Sequence, residues 1–171
     1  MMGKSTAGVS FGFKWSDIIL PLAVLLLALV LAVVFYSRLP DEVAYRFQSD
    51  GSPGEWAGRG VVVLWTLLPQ MLLALAAGAI TWGMTRLASR FIQPEETRVK
   101  PRRIIALMGN MIALPQIILG FAMLDIFLYN SNQVHLLPLW VFTLITMVAG
   151  GIILSISFVR AIGGGVKVSK E

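Results

Sequence analysis

Residues 18–37 read IILPLAVLLLALVLAVVFYS, twenty positions without an acid, a base or a histidine. A helix needs about 20 apolar residues to cross the hydrocarbon core of a bilayer. Leu and Val occupy the whole circumference with no polar stripe, as burial in lipid or in a bundle requires. The stretch is too long for the apolar region of a signal peptide, and no Ala-x-Ala cleavage pattern follows it, so it reads as an uncleaved anchor. Three more runs, 60–85, 104–124 and 136–159, also lack Asp, Glu, Lys, Arg and His. The four runs hold 91 of the 171 residues. The chain is 57% hydrophobic and 13% charged, where a soluble domain has about 25% charged residues. Soluble enzymes, DNA-binding domains and β-barrels are thereby excluded. Within hydrocarbon every backbone amide must find its partner inside the segment, so each run is expected to be a helix. The predicted fold is all-α: an integral membrane four-helix bundle with spans at 18–37 and about 61–85, 104–128 and 136–159.

Lys and Arg set the expected direction of insertion. Eleven of the fourteen lie in the N-terminal arm, loop 86–103 and the C-terminal tail. Three lie in loop 38–59 and none in loop 125–135. This predicts a multi-pass cell-membrane protein with both termini cytoplasmic and loops 38–59 and 125–135 outside. The net charge of +5 follows from that topology, and no nucleic-acid partner is expected. With no cysteine there is neither disulfide nor thiolate chemistry.

Loop 38–59 reads RLPDEVAYRFQSDGSPGEWAGR. Leu39-Pro40 ends the first helix, because a residue before proline is pushed out of helical geometry. Val43, Tyr45 and Phe47 alternate with Ala44, Arg46 and Gln48, a period of two that predicts a short strand. Asp50-Gly51 and Pro53-Gly54 are both turn signals. Trp56 suits the membrane surface. The candidate binding residues of this ordered loop are Asp41, Glu42, Arg46, Phe47, Asp50, Gly51, Trp56 and Arg59.

Leu39-Pro40-Asp41, Val43, Phe47, Gly51, Pro53, Trp56 and Arg59 resemble a bacterial membrane module of unknown function. That module stands at the front of Sdp-type immunity proteins (SdpI-like) and follows the first span there too. The resemblance covers the first span, the loop and part of the second span. It implies a front module at 18–92, after a cytoplasmic arm at 1–17. A basic loop at 93–103, a second transmembrane hairpin at 104–160 and a cytoplasmic tail at 161–171 complete the chain. Ala44, Arg46, Gln48 and Gly54 depart from the module, which has proline, histidine, asparagine and aspartate there. The resemblance implies a polytopic protein that guards a bacterium against a secreted toxic peptide. Some such proteins also signal inward by holding a repressor at the membrane.

Polar residues at membrane depth are functional candidates, here Gln70, Asn110 and Gln116. Leu68-Pro69-Gln70 recurs as Leu114-Pro115-Gln116 on neighbouring antiparallel spans. Each glutamine lies nine or ten residues, ~15 Å, below the outer surface. The two amides are expected to bond one another, or to satisfy the Trp65 and Met111 carbonyls that the prolines release. A clamp between helices is weighed above a midplane substrate site. Small pairs four apart (Ala74/Gly78, Ala79/Gly83, Gly109/Ala113, Thr146/Gly150, Gly151/Ser155) let helices approach closely and suggest bundle packing or a homo-oligomer. The lone histidine, His135, reads as a solvated loop residue beside Asp125, Asn130 and Asn132. No metal site, cofactor or catalytic constellation is expected. Two alternatives stand beside peptide recognition: a small oligomeric transporter or channel, and a structural subunit docked on a membrane-protein partner.

Overall fold

The computed structural model describes residues 12–48, 51–91 and 101–163. Four stretches are helical, long and apolar enough to cross a membrane: Trp15–Tyr36, Arg59–Ser89, Arg102–Asn132 and Leu139–Ala161. The protein is thus a multi-pass membrane protein with lipid as its main neighbour. The expected four-helix architecture holds, with a short two-stranded hairpin between the first two spans.

Helix α1, Ile19–Tyr36, follows a single 3-10 turn at Trp15–Ile18. Pro21 falls in its first turn, where the missing amide has no intrahelical partner to lose. The Leu20 amide, one of the orphans of that turn, instead donates to Asn110 Oδ1 at 3.0 Å. The helix stops before Pro40, and the Arg38 and Leu39 amides both turn back to the Phe35 carbonyl. Strands β1, Glu42–Phe47, and β2, Pro53–Gly58, form an antiparallel pair. Helix α2, Arg59–Phe91, continues directly from β2. Its 33 residues make a rod of about 50 Å, longer than the ~30 Å hydrocarbon core.

The third span differs from the expected single helix. It is α3, Pro101–Met111, and α4, Ala113–Asn132, broken at Ile112. Pro115 explains the break: it has no amide for the Met111 carbonyl, and its ring would collide with that carbonyl in a continuous helix. Pro69, by contrast, sits inside unbroken α2. Helix α5, Leu139–Gly163, ends where the Gly163-Gly164-Gly165 run begins. Residues 93–100 of the basic loop lie outside the described residues, and 101–103 open α3.

The core sits at the hairpin end of the bundle. Ala28, Ala32 and Phe35 of α1, Leu39, Val43 of β1, Val62 of α2 and Met123 and Phe127 of α4 form one buried cluster. Its centre is the pair Phe35–Phe127, with ring centroids 5.9 Å apart. Between spans surrounded by lipid, such a cluster stabilises through close van der Waals packing and not through exclusion of water. At the opposite, basic end, Asp17 is buried and joined to Arg102 at 3.2 Å. Gly109 packs there so closely that a Cβ would stand 2.4 Å from both the Asp17 carbonyl oxygen and Thr81 Oγ1. Helix α5 is little covered by the rest of the chain. It docks through a stacked Phe121–Phe142 pair at 3.8 Å and through Gly150, whose absent Cβ makes room for Leu114.

Candidate functional site

The hairpin is built from chemistry that the alternation of Val43, Tyr45 and Phe47 half reveals. Val43 is wholly buried in the core, Tyr45 meets Trp65 of α2 edge-on at 5.6 Å, and Phe47 meets Tyr129 of α4 at 4.7 Å. These three side chains therefore fasten β1 to the helices. Ala44, expected on the opposite open face, is also fully buried. The cause is Asn130. Its Oδ1 accepts from the Ala44 amide at 2.8 Å, and its Nδ2 donates to the Ala44 carbonyl at 2.9 Å. Nδ2 also donates to the Ile126 carbonyl at 2.8 Å, so both amide donors are used. One side chain thus does for β1 what a third strand would do, closing the edge that β2 leaves open.

The turn differs from expectation in one respect. Pro53-Gly54 is not a turn but the start of β2, with Pro53 opposite Phe47. Pro53 stands at the first position of the strand, where a proline is tolerated. The reversal runs through Gly51, at φ +84°, whose amide donates to the Gln48 carbonyl, while the Gln48 amide donates to the Ser52 carbonyl. Positive φ is cheap only for glycine. Asp50, a candidate binding residue, lies outside the described residues.

At the hairpin base, Arg59 gathers the chain ends. Its amide donates to the Asp41 carbonyl at 2.9 Å, its guanidinium stands 3.4 Å from the Asp41 carboxylate and 3.4 Å from the Leu39 carbonyl, and it covers the Tyr36 ring at 4.9 Å. Glu42 is exposed opposite Gly58. Across the strands, Arg46 pairs with Glu55 at 2.7 Å, and the Tyr45 hydroxyl donates to the other Glu55 oxygen. The Tyr45 hydrogen bond, then that of Arg46, holds the Glu55 carboxyl below its ordinary value, and the same bond to Glu55 raises the Tyr45 phenol. Arg46, Phe47, Gln48, Gly54 and Glu55 line an open cavity of about 390 Å3. Trp56, opposite Ala44, is 53% exposed.

His135 is not a free loop residue. Its Nδ1 lies 2.9 Å from Asp125, whose other oxygen accepts the Leu136 amide. Its ring stacks on Tyr129 at 4.5 Å and meets Phe47 at 4.7 Å. The hairpin tip therefore rests on the α4–α5 connection. Of the acids of loop 38–59, Asp41 goes to Arg59 and Glu55 to Arg46. Asn130 was expected only as a solvated neighbour of His135, and strand β2 was not expected. A Gly-Glu-Trp-Ala-Gly run following proline carries little strand signal, and a single asparagine at a helix end is unremarkable.

Gln70 and Gln116 do meet at matched depth, both with no exposed surface. Their contact differs from both expected forms. Gln116 Nε2 donates to the backbone carbonyl of Gln70 at 3.0 Å, not to its side chain and not to Trp65 or Met111. Gln70 Nε2 faces the Thr66 carbonyl at 3.5 Å and Met123 Sδ at 3.8 Å. Both amide oxygens are enclosed without a hydrogen-bond partner. Asn110 is elsewhere, bonded to Ala106 and capping α1. Of the small pairs, Gly109/Ala113 and Gly150 are buried within the bundle, whereas Ala79/Gly83 and Gly151/Ser155 face outward.

No curated protein and no solved structure matches this chain. Residues 23–69 span most of α1, the whole hairpin and the first third of α2, and they match the family pattern of a domain of unknown function, DUF1648.

Proposed function

We propose that this is a non-enzymatic membrane protein whose hairpin, facing away from the cytoplasm, recognises an extracytoplasmic peptide in immunity or signalling. The observation that carries the reading is the way the hairpin is held. Asn130, Arg59 and the Phe47–Tyr129–His135 cluster fix its backbone to three helices. Arg46 and Glu55 are left outward at an open cavity, and Trp56 is exposed on the same hairpin. A connector with no task would not need three separate anchors. The likeness of the loop to Sdp-type immunity proteins supports a peptide as the ligand; the domain matched at residues 23–69 is itself of unknown function. The excess of basic residues at the opposite end supports that orientation.

The test compares cells that lack the protein with cells carrying the wild type or an Arg46→Ala/Trp56→Ala variant, each challenged with peptides secreted by competing bacteria. Deletion is expected to sensitise the cells, with rescue by the wild type and not by a variant inserted at equal level. Unchanged sensitivity together with unchanged transcription refutes the reading. The glutamine contact favours a clamp over a transport path: the donated hydrogen bond is to backbone, and both residues are sealed from solvent.

A further inference from the structure

The two ends of the α1–α2 pair are filled very differently. At the hairpin end Phe35, Leu39, Val43 and Val62 occupy the space between the helices. At the basic end the facing α2 residues are Ala74 and Gly78, and nothing bulky replaces them. A Cβ on Gly78 would find only Ile18 Cδ1, at 4.0 Å. The result is an open cleft of about 500 Å3, walled by Leu22 and Leu25 of α1 and Met71 and Leu75 of α2. That volume lies in the range of ligand-holding clefts, roughly 300–1,000 Å3. Its lining is almost wholly apolar.

The mouth of the cleft has the opposite character. Trp15 and Trp82 stand there, residues suited by their amphipathic rings to the level of lipid headgroups. One turn beyond Trp82, Arg86 lays its guanidinium over that indole at 4.3 Å. Arg86 is exposed and makes no ion pair among the described residues. Lys14, exposed between the lining residues Phe13 and Trp15 but not itself on the cleft, adds to the positive charge of that end. The nearby acid, Asp17, is buried and already joined to Arg102, so it neutralises neither. An apolar slot that opens at an aromatic rim under unpaired cations is complementary to one kind of molecule.

We propose that the α1–α2 cleft holds one anionic phospholipid, with an acyl chain between Leu22 and Gly78 and its phosphate at Arg86. The lipid fills the wedge that Ala74 and Gly78 leave and braces the basic halves of the two helices. This assignment is independent of what the hairpin recognises.

The test uses the full chain, purified in mild detergent and examined by native mass spectrometry with added phosphatidylglycerol or phosphatidylcholine. One phosphatidylglycerol per protomer is expected to persist. Its preference over phosphatidylcholine should be about fivefold for each basic residue engaged, the factor one such residue supplies beside an anionic lipid surface. Arg86→Gln, a surface change that leaves the bundle intact, is expected to remove one such factor. Arg103→Gln, an exposed basic control elsewhere at the same end, is expected to leave the preference unchanged. Gly78→Leu places a side chain in the slot and should abolish retention of either lipid. Equal retention of the two lipids, or equal loss in the Arg86 and Arg103 variants, overturns the proposal. So does a dimer in the spectra that Gly78→Leu dissolves, because the slot would then belong to a second copy. Should Gly78→Leu fail to fold, the comparison of Arg86 with Arg103 decides alone.

Discussion

Replacing Asn130 by alanine removes the side chain that holds both backbone groups of Ala44. The two bonds measure 2.8 and 2.9 Å, and Ala44 has no exposed surface. A buried donor or acceptor left without a partner costs about 1–3 kcal/mol. Two such groups give about 2–6 kcal/mol. The site lies near the end of the bundle, where water can enter, so the lower part of that range applies, about 2–3 kcal/mol. The loss falls on local opening of the hairpin, not on the helices. Hydrogen exchange at the Ala44 amide, followed in micelles, reads it directly. An opening made easier by about 2 kcal/mol speeds exchange roughly 30-fold. Amides in the middle of α1 should not change. Asn130→Asp sharpens the assay, since a carboxylate still accepts from the Ala44 amide but cannot donate to the Ala44 carbonyl. Its effect should fall between those of asparagine and alanine. In an Ala44→Pro background the amide is already absent, so Asn130→Ala should cost less than it does in the wild type. Unchanged exchange at Ala44 in Asn130→Ala would mean that β1 is held by its buried Val43 alone, and the edge-closing argument would fail.

Gly109→Ala is expected to destabilise the basic end by about 1–3 kcal/mol or more, because its Cβ would stand 2.4 Å from the Asp17 carbonyl and Thr81 Oγ1. Gly83→Ala, with open space around it, should be neutral or stabilising; a detergent melt of both variants checks the pair. Gln116→Leu removes the bond to the Gln70 carbonyl but also removes an unpartnered buried oxygen. The net change in a denaturant titration should stay under about 1 kcal/mol, and a larger loss would show the clamp to be stronger than its geometry. Glu55 has a folded-state pKa below its ordinary value, so its contribution to the hairpin is complete above that ordinary value. It is lost as pH falls through the lowered folded value. Exchange at hairpin amides should therefore rise in acid, beyond the intrinsic pH dependence of exchange. Glu55→Gln should show no such step.

The four spans were legible because lipid imposes one simple rule on the whole chain: keep ionised groups out and the backbone bonded to itself. Uncharged runs are visible without any knowledge of neighbours. The end of α1 at Leu39-Pro40 was readable for the same local reason. The break at Ile112 was not, because Pro69 and Pro115 stand in the same tripeptide and only one of them interrupts its helix. The matched depth of Gln70 and Gln116 followed from counting residues, yet the acceptor proved to be a backbone oxygen that no count reveals. β2 escaped because Pro53 and Gly54 are ordinarily turn residues, and their strand geometry is imposed by pairing with β1. Asn130 escaped because its meaning lies 86 residues away at Ala44. A contact of that separation leaves no periodicity in either segment.

That separation has a consequence for biogenesis. A ribosome adds about 5–20 residues each second, so Asn130 follows Ala44 by roughly 4–17 s. Once β2 has emerged, β1 and β2 have each other but no α4, and the Ala44 amide and carbonyl must be hydrated. The hairpin is therefore finished not when its own sequence emerges but when the third span arrives, and a stalled or truncated chain ending before Asn130 would display an unsealed strand edge at the membrane surface.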